Sequence, residues 1–394
     1  MRWIRFSLLF AGIAGCDTRG PGDAVAFSAE RADWVADFCG LADDGFRGVA
    51  SEPPGQASPD TILQLDVGRV AAIATSPGGM IAVYNDMAAR VVGLDETGVL
   101  VEFGRTGSGP GEFSAPPVGT ERDHVSVSGR SFLVFDGYRF LEFDLAGRPL
   151  HAVQGAVLGF ARIHSVGLRS TPEAHFVGVM EWSMGSPERR LEVYRWTEGI
   201  LESVGGVALT PLARLPSGSW TWRRFIPMPL WDVAGECAIL SDGWSPELVV
   251  LHLQSGEHRS LRVSGHLYPD RELLRIQAAE QEETLVFTRE RNLPFSEVEF
   301  SEPRRWSGLR YSRDGSLWLW PSVAPGDAPA ALRIPLQPSA LDAHLVEVAA
   351  SPAAFLPGGV PLFLAHTHGE GWSDVVVRLG PAPGLVPAND VPPQ

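Results

Sequence analysis

From about Asp60 to Leu379 the chain repeats one pattern: a short apolar run, a turn containing glycine, aspartate or asparagine, then another apolar run. The runs are three to six residues long and rich in Val, Ile, Leu and Phe. Runs this short, bounded by turn residues, predict strands rather than helices. The first unit reads Val70–Ala74, Met80–Tyr84, Val91–Leu94 and Val99–Phe103, and the second Val125–Val127, Phe132–Phe135, Phe140–Phe143 and Leu150–Val153. Asp86 and Asp136 lie 50 residues apart, and Gly98 and Gly147 lie 49 apart. Landmarks that share one offset mark an internal repeat, and four strands per repeat of this length predict the blades of a propeller.

Four further units follow. The third spans Ile163–Val204, with Phe176–Met180 and Leu191–Tyr194 as middle strands, and the fourth spans Trp231–Val263. A fifth centres on Arg313-Asp314-Gly315 and Leu317–Trp320, and a sixth takes in Leu345–Val348, Val360–Leu364 and Val375–Leu379. The expected fold is therefore all-β, a six-bladed β-propeller of four-stranded antiparallel blades over residues 59–380. Thr61–Val67 precedes the first full unit and is expected to supply the outer strand of the last blade, which would otherwise leave an unpaired edge. Pro269-Asp270-Arg271-Glu272 opens a short helical insertion at about 269–283. Residues 381–394 read as a disordered proline-rich tail.

Between the first two units stands Gly104-Arg105-Thr106-Gly107-Ser108-Gly109-Pro110-Gly111-Glu112-Phe113-Ser114-Ala115-Pro116. Glycine tolerates backbone conformations that branched residues resist, and Pro110 fixes its own φ, so the chain can reverse here from one blade to the next. Phe113 is the expected apolar anchor, worth about 1.5–3 kcal/mol when buried. No Gly-Lys-Ser/Thr follows, so a phosphate cradle is not indicated. The segment resembles the blade-to-blade turn of the NHL-like six-bladed β-propeller family. That resemblance implies the fold. Some of that family's members are lyases or hydrolases with a metal in the central channel, but their ligand residues match no positions here.

Composition narrows the chemistry. All 32 basic residues are arginine, which excludes a lysine nucleophile, a Schiff base and a Walker-type lysine. The net charge of −15 becomes −17 once Arg2 and Arg5 are removed with the N-terminal segment. So acidic a body lacks the basic footprint of nucleic-acid binding. Residues 1–15 read as a lipoprotein signal peptide: a basic start, then an apolar run from Phe6 to Ala14 that is too short to span a bilayer. Ile13-Ala14-Gly15-Cys16 resembles the bacterial lipobox, which implies cleavage before Cys16, lipid on its sulfur and a place in the bacterial cell envelope. Residues 16–58 are then a tether with a short helix near 30–38, and removing 17–55 is expected to leave the propeller folded. Cys39 and Cys237 stand 198 positions apart, and spacing leaves both a disulfide and two buried thiols open, the thiols being the preferred reading.

Two clusters attract attention as chemistry. His366-Thr367-His368 places two imidazoles on one side of a strand, a spacing that metal sites use, with Glu370 and Asp374 nearby. Gly369-Glu370-Gly371 reads as a loop joining two outer strands of the last blade. Trp220-Thr221-Trp222-Arg223-Arg224 could stack on a sugar or hold a carboxylate, or could pack between blades. No nucleophile elbow, H-E-x-x-H or EF-hand pattern is present. The function expected is a lipid-anchored extracytoplasmic binding or scaffold module for a protein, peptide or glycan, meeting the membrane only through its lipid and using no cofactor. The alternative is a metal-dependent lyase or hydrolase with calcium or zinc in the channel.

Overall fold

A computed structural model describes residues 33–41, 61–65, 70–76, 78–85, 88–95, 98–114, 124–154, 166–182, 189–209, 229–243, 247–263, 279, 283, 286, 290–291, 306–312, 315–321, 330–336, 344–347, 354–356, 361–368 and 373–379. They comprise a short helix, α1 (Asp33–Phe38), and strands that pair into six four-stranded antiparallel sheets.

Strand β1 (Thr61–Leu65) stands apart from its neighbours in sequence. The first sheet follows as β2 (Val70–Thr75), β3 (Ile81–Asn85), β4 (Arg90–Asp95) and β5 (Gly98–Phe103). The second is β6 (Val125–Val127), β7 (Ser131–Phe135), β8 (Arg139–Asp144) and β9 (Pro149–Gln154). The third is β10 (Val166–Ser170), β11 (His175–Trp182), β12 (Arg189–Thr197) and β13 (Ile200–Leu209). The fourth is β14 (Leu230–Ala234), β15 (Cys237–Ser241), β16 (Glu247–His252) and β17 (His258–Arg262). The fifth is β18 (Trp306–Ser312), β19 (Ser316–Pro321), β20 (Ala330–Pro335) and β21 (His344–Glu347). The sixth joins β22 (Ala354–Phe355), β23 (Pro361–His368) and β24 (Ser373–Leu379) to β1.

The first strands of successive sheets lie against one another in the order β2, β6, β10, β14, β18, β22, and β22 returns to β2. Four-stranded antiparallel sheets arranged radially around such a closed set of inner strands form a β-propeller. Burial follows the radial position. The second strands β3, β7 and β15 are buried at every residue, because a neighbouring sheet covers each face, and they are nearly all apolar. The outer strands β9 and β17 are mostly exposed and carry polar residues among apolar ones.

The expected closure is present. Leu65 pairs with Val375, Gln64 with Val376 and Leu63 with Val377, so β1 completes the last sheet as its outer strand. Leu345 to Glu347 belongs elsewhere than its pattern indicated: β21 is the outer strand of the fifth sheet. The sixth begins at β22, whose two residues are too few to show a strand pattern. Of the insertion at 269–283 only Ala279 and Glu283 are described. Both are helical and exposed, as are Val286 and Glu290 beyond the expected end.

Two further expectations are corrected. Cys39 and Cys237 form a disulfide, with their Cα atoms 5.2 Å apart. The segment read as a tether also contains a docked element. Val35, Ala36, Cys39 and Leu41 are buried in one cluster with Ala234, Cys237, Leu261, Trp306 and Leu309, closing one end of the junction between the fourth and fifth sheets. Cys39 O accepts the Glu236 N–H at 2.9 Å. Gly235 makes this approach possible, since its φ is +55° and a Cβ would stand 2.3 Å from Cys39 O. Arg259 covers the other side of the helix, 4.4 Å from the Phe38 ring centre and 5.7 Å from that of Trp34.

Removing residues 17–55 should therefore destabilise the ring. Replacing both cysteines by alanine should lower unfolding stability by about 2–5 kcal/mol, the usual cost of losing a native disulfide. Urea titration of the two alterations against the parent protein checks both outcomes.

Candidate functional site: the inter-sheet turn and the inner strands

The turn at residues 104–114 is built around Phe113. Its ring is fully buried, with centroids 5.6 Å from Tyr84, 6.4 Å from Phe103 and 5.6 Å from Phe143. Phe113 N–H donates to Arg105 O at 2.7 Å, and Phe113 O accepts the Gly107 N–H at 3.0 Å. Gly104 permits the ring to lie there, since its φ is +99° and a Cβ would fall 2.0 Å from the Phe113 side chain. Glu112 folds back into the turn: its carboxylate accepts the Gly109 N–H at 2.7 Å and the Arg105 Nε–H at 2.9 Å. The Gly109 N–H bond, aided by the Arg105 guanidinium, holds the Glu112 pKa below its ordinary value. Gly107 leaves room for that carboxylate: a Cβ there would displace Glu112 Oε2, which lies 2.1 Å from its position. Pro110 and Gly111 complete the reversal, and Gly111 lies against Pro149 of the next sheet.

The second sheet clamps this turn through two residues whose partnership sequence reasoning missed. Arg139 donates to Ser108 O at 2.7 Å, Glu112 O at 2.9 Å, Gly107 O at 3.4 Å and Ser114 Oγ at 3.4 Å. It also pairs with Asp136 Oδ2 at 2.8 Å. Asp136 is fully buried and accepts the backbone N–H groups of Ser114, Tyr138 and Arg139. The aspartate expected to serve turn chemistry does so. The signal for its partner was the arginine three residues on, in Asp136-Gly137-Tyr138-Arg139.

On the inner strands, ionisable groups join one sheet to the next. Arg169 of β10 pairs with Asp232 of β14 at 2.9 Å, and Asp232 Oδ2 accepts the Tyr311 N–H of β18 at 2.7 Å. Three consecutive sheets are thereby linked. The Arg169 guanidinium also lies 5.5 Å from the Trp231 ring centre. That indole sits against Gly167 and Gly178, where a Cβ at either would approach to 2.5 Å.

A second chain of bonds joins the second and third sheets. Ser126 Oγ lies 2.8 Å from His175 Nδ1, and His175 Nε2 lies 2.9 Å from Ser131 Oγ. Ser131 Oγ–H donates to Glu142 Oε1 at 2.9 Å, and Trp196 Nε1–H donates to Glu142 Oε2 at 2.8 Å. With the Ser131 hydrogen committed to Glu142, His175 Nε2–H is the donor to Ser131 and Nδ1 accepts from Ser126. Burial pushes the His175 pKa down to about 3, so the imidazole is neutral. Ser126 and His175 are 49 residues apart, one repeat, which hinted at adjacency but not at the hydrogen bonds.

The other candidates divide as follows. His366 and His368 lie on β23 at alternate positions of one strand face, paired in register with Val375 and Ser373. Their loop joins the two middle strands of the sixth sheet rather than two outer ones, because β1 takes the outer place. Among the described residues no group of three or more His, Cys, Asp or Glu side chains is arranged to hold a metal ion. Trp220, Trp222, Arg223, Arg224, Glu370 and Cys16 lie outside the described residues.

Arg139→Ala should cost about 3–5 kcal/mol in urea unfolding, because it leaves the buried Asp136 carboxylate without its counter-charge. His175 gives a pH dependence. Its folded pKa lies below the unfolded value of about 6.5, so the unfolded chain takes up a proton that the folded one refuses, and stability is lost as pH falls below 6.5 towards 3. Melts from pH 7.5 to 4.5 should show His175→Gln losing stability less steeply than the parent, by about 1.4 kcal/mol per pH unit below pH 6.

No family model matches this chain, and no curated protein matches it. Solved structures do. The β-propeller domain of Cps50 (Swd1) from Myceliophteria thermophila is 11% identical with a TM-score of 0.39, covering 82% of this chain and 99% of that one. A catalytically inactive virginiamycin B lyase from Staphylococcus aureus with quinupristin is 12% identical with a TM-score of 0.39, covering 80% and 82%. The PQQ-bound aldose sugar dehydrogenase from Streptomyces coelicolor is 14% identical with a TM-score of 0.38, covering 83% and 99%. Likenesses this distant carry no assignment of role, and the propeller architecture rests on the chain's own sheets.

Proposed function

We propose that the six sheets are the six blades of a single NHL-like ring, and that this ring is a lipid-anchored extracytoplasmic module that binds a protein, peptide or glycan. The observation that carries the reading is the use made of polar groups between blades. Arg169, Asp232 and the Ser126–His175–Ser131 chain bond to neighbouring sheets, and Arg139 and Asp136 bond to the inter-blade turn. Groups engaged in this way make a stiff platform. A reacting centre instead needs a base or nucleophile poised towards a substrate. The Cys39–Cys237 disulfide supports an oxidising compartment, since such bonds persist outside the cytoplasm and are rare within it. Lipid on Cys16 would hold the ring there. A stable anchor requires two or more acyl chains, because one alone binds only marginally.

Cys16→Ser should abolish lipid labelling and move the protein from the membrane to the soluble fraction. Retention of the serine variant on membranes through a detergent-sensitive attachment would overturn the anchor. Purified protein should also leave gel filtration without stoichiometric calcium or zinc. A retained equivalent of either metal would replace the binding module with a channel enzyme.

A further inference from the structure

The two faces of the ring differ in what they carry. In the first five sheets the turn between the first and second strands and the turn between the third and fourth lie at one end, the first face; in the sixth, whose outer strand β1 comes from the other end of the chain, the connection between β22 and β23 lies there. The remaining turn and the connection to the next sheet lie at the other end, the second face. Gly129 N–H donates to Pro172 O at 2.9 Å, joining first-face turns of the second and third sheets. Trp306 N–H donates to Gly243 O at 2.9 Å, joining second-face segments of the fourth and fifth. The faces therefore keep their identity around the ring.

Helix α1 belongs to the first face. Cys39 bonds to the turn Gly235-Glu236 and is covalently joined to Cys237, and Phe38 meets His252 edge to face at 5.5 Å beside the turn of residues 253–257. Trp34 reaches Arg259 near the start of the outer strand β17. The chain that leads back to Cys16 thus departs from the rim of the first face, where a buried disulfide fixes it. On the second face stand the turn at 104–114 and Tyr138, a residue 59% exposed beside the Arg139 clamp.

We propose that the stapled helix sets the orientation of the protein at the membrane, with the first face towards the bilayer and the second face outward to meet its partner. The proposal rests on the lipid-anchor reading. Sixteen residues separate Cys16 from α1, a length that reaches at most about 58 Å fully extended. Turning the second face to the bilayer would take this chain around the rim. From the rim it would descend the height of a five-residue strand, about 17 Å, taking up roughly a third of its reach. The first-face orientation asks nothing of it.

Two reporters in the same sheet test this. Arg130, exposed on the first-face turn between β6 and β7, and Tyr138, on the second face, are replaced singly as Arg130→Cys and Tyr138→Cys. Each lipidated protein is labelled with a fluorescent donor and placed on phosphatidylcholine vesicles containing a bilayer-embedded acceptor. Flotation reads attachment first. Protein that does not float with the vesicles overturns the anchor and the orientation together. For protein that floats, at least twofold greater energy transfer from position 130 than from position 138 is expected. Equal transfer, or greater transfer from 138, overturns the orientation alone. Adding Cys39→Ala and Cys237→Ala to both reporters, with folding checked by circular dichroism, should narrow the difference. An unchanged difference would remove the disulfide from the explanation.

Discussion

Pairing between Thr61–Leu65 and Ser373–Leu379 holds the two ends of the ring together. Without β1, β24 would present a row of unpaired backbone donors and acceptors to solvent, an invitation to aggregation. The sixth sheet can least tolerate the loss, since its inner strand is only Ala354–Phe355 and the rest of its support comes from neighbours. Thr75 Oγ1–H donates to Phe355 O at 2.8 Å, tying that short strand to the first sheet. Closure joins residues some 310 positions apart, which makes it one of the most non-local contacts of the fold.

Between neighbouring sheets the recurrent device is a large aromatic set on a glycine. Trp231 of the fourth sheet lies on Gly167 and Gly178 of the third, Phe132 of the second lies on Gly93 of the first, and Phe103 of the first meets Gly147 of the second. The same arrangement seats Phe113 on Gly104 in the connecting turn. Any side chain at these glycines would hold the sheets apart and break the dense contact on which apolar stabilisation depends. At the junction of the third and fourth sheets, where Trp231 lies on Gly167 and Gly178, the Arg169–Asp232 pair adds a charged link between the same two sheets. Packing and polar contact thus act together at that junction.

How much of this could be read in the sequence varies with radius and with distance along the chain. The second strands were plain because burial on both faces demands continuous apolar runs, as in Phe132–Phe135 and Cys237–Leu240. The turn at 104–114 was plain because four glycines and a proline within eight residues mark a chain reversal by themselves. The start of the sixth sheet was not, because two residues give no period, and Leu345–Glu347 offered a more convincing strand. Cys39 with Cys237, and Ser126 with His175, depend on which sheets the fold brings side by side, and local pattern holds no record of that. The short helix near 30–38 was legible and appears as Asp33–Phe38, but its docking was hidden for the same reason: Val35, Ala36 and Leu41 are too few apolar residues to announce a core of their own.

The disulfide has a mechanical consequence. Tension applied to the N-terminus of a chain usually reaches its first strand directly, and here that strand is β1, the closure of the ring. Because Cys39 is bonded to Cys237, the load is diverted into the fourth sheet before it arrives at Thr61. There it acts on β15, a buried strand paired on both sides. A protein hauled by its N-terminus would strain at the disulfide and its sheet, and the seam of the ring would be shielded from the force.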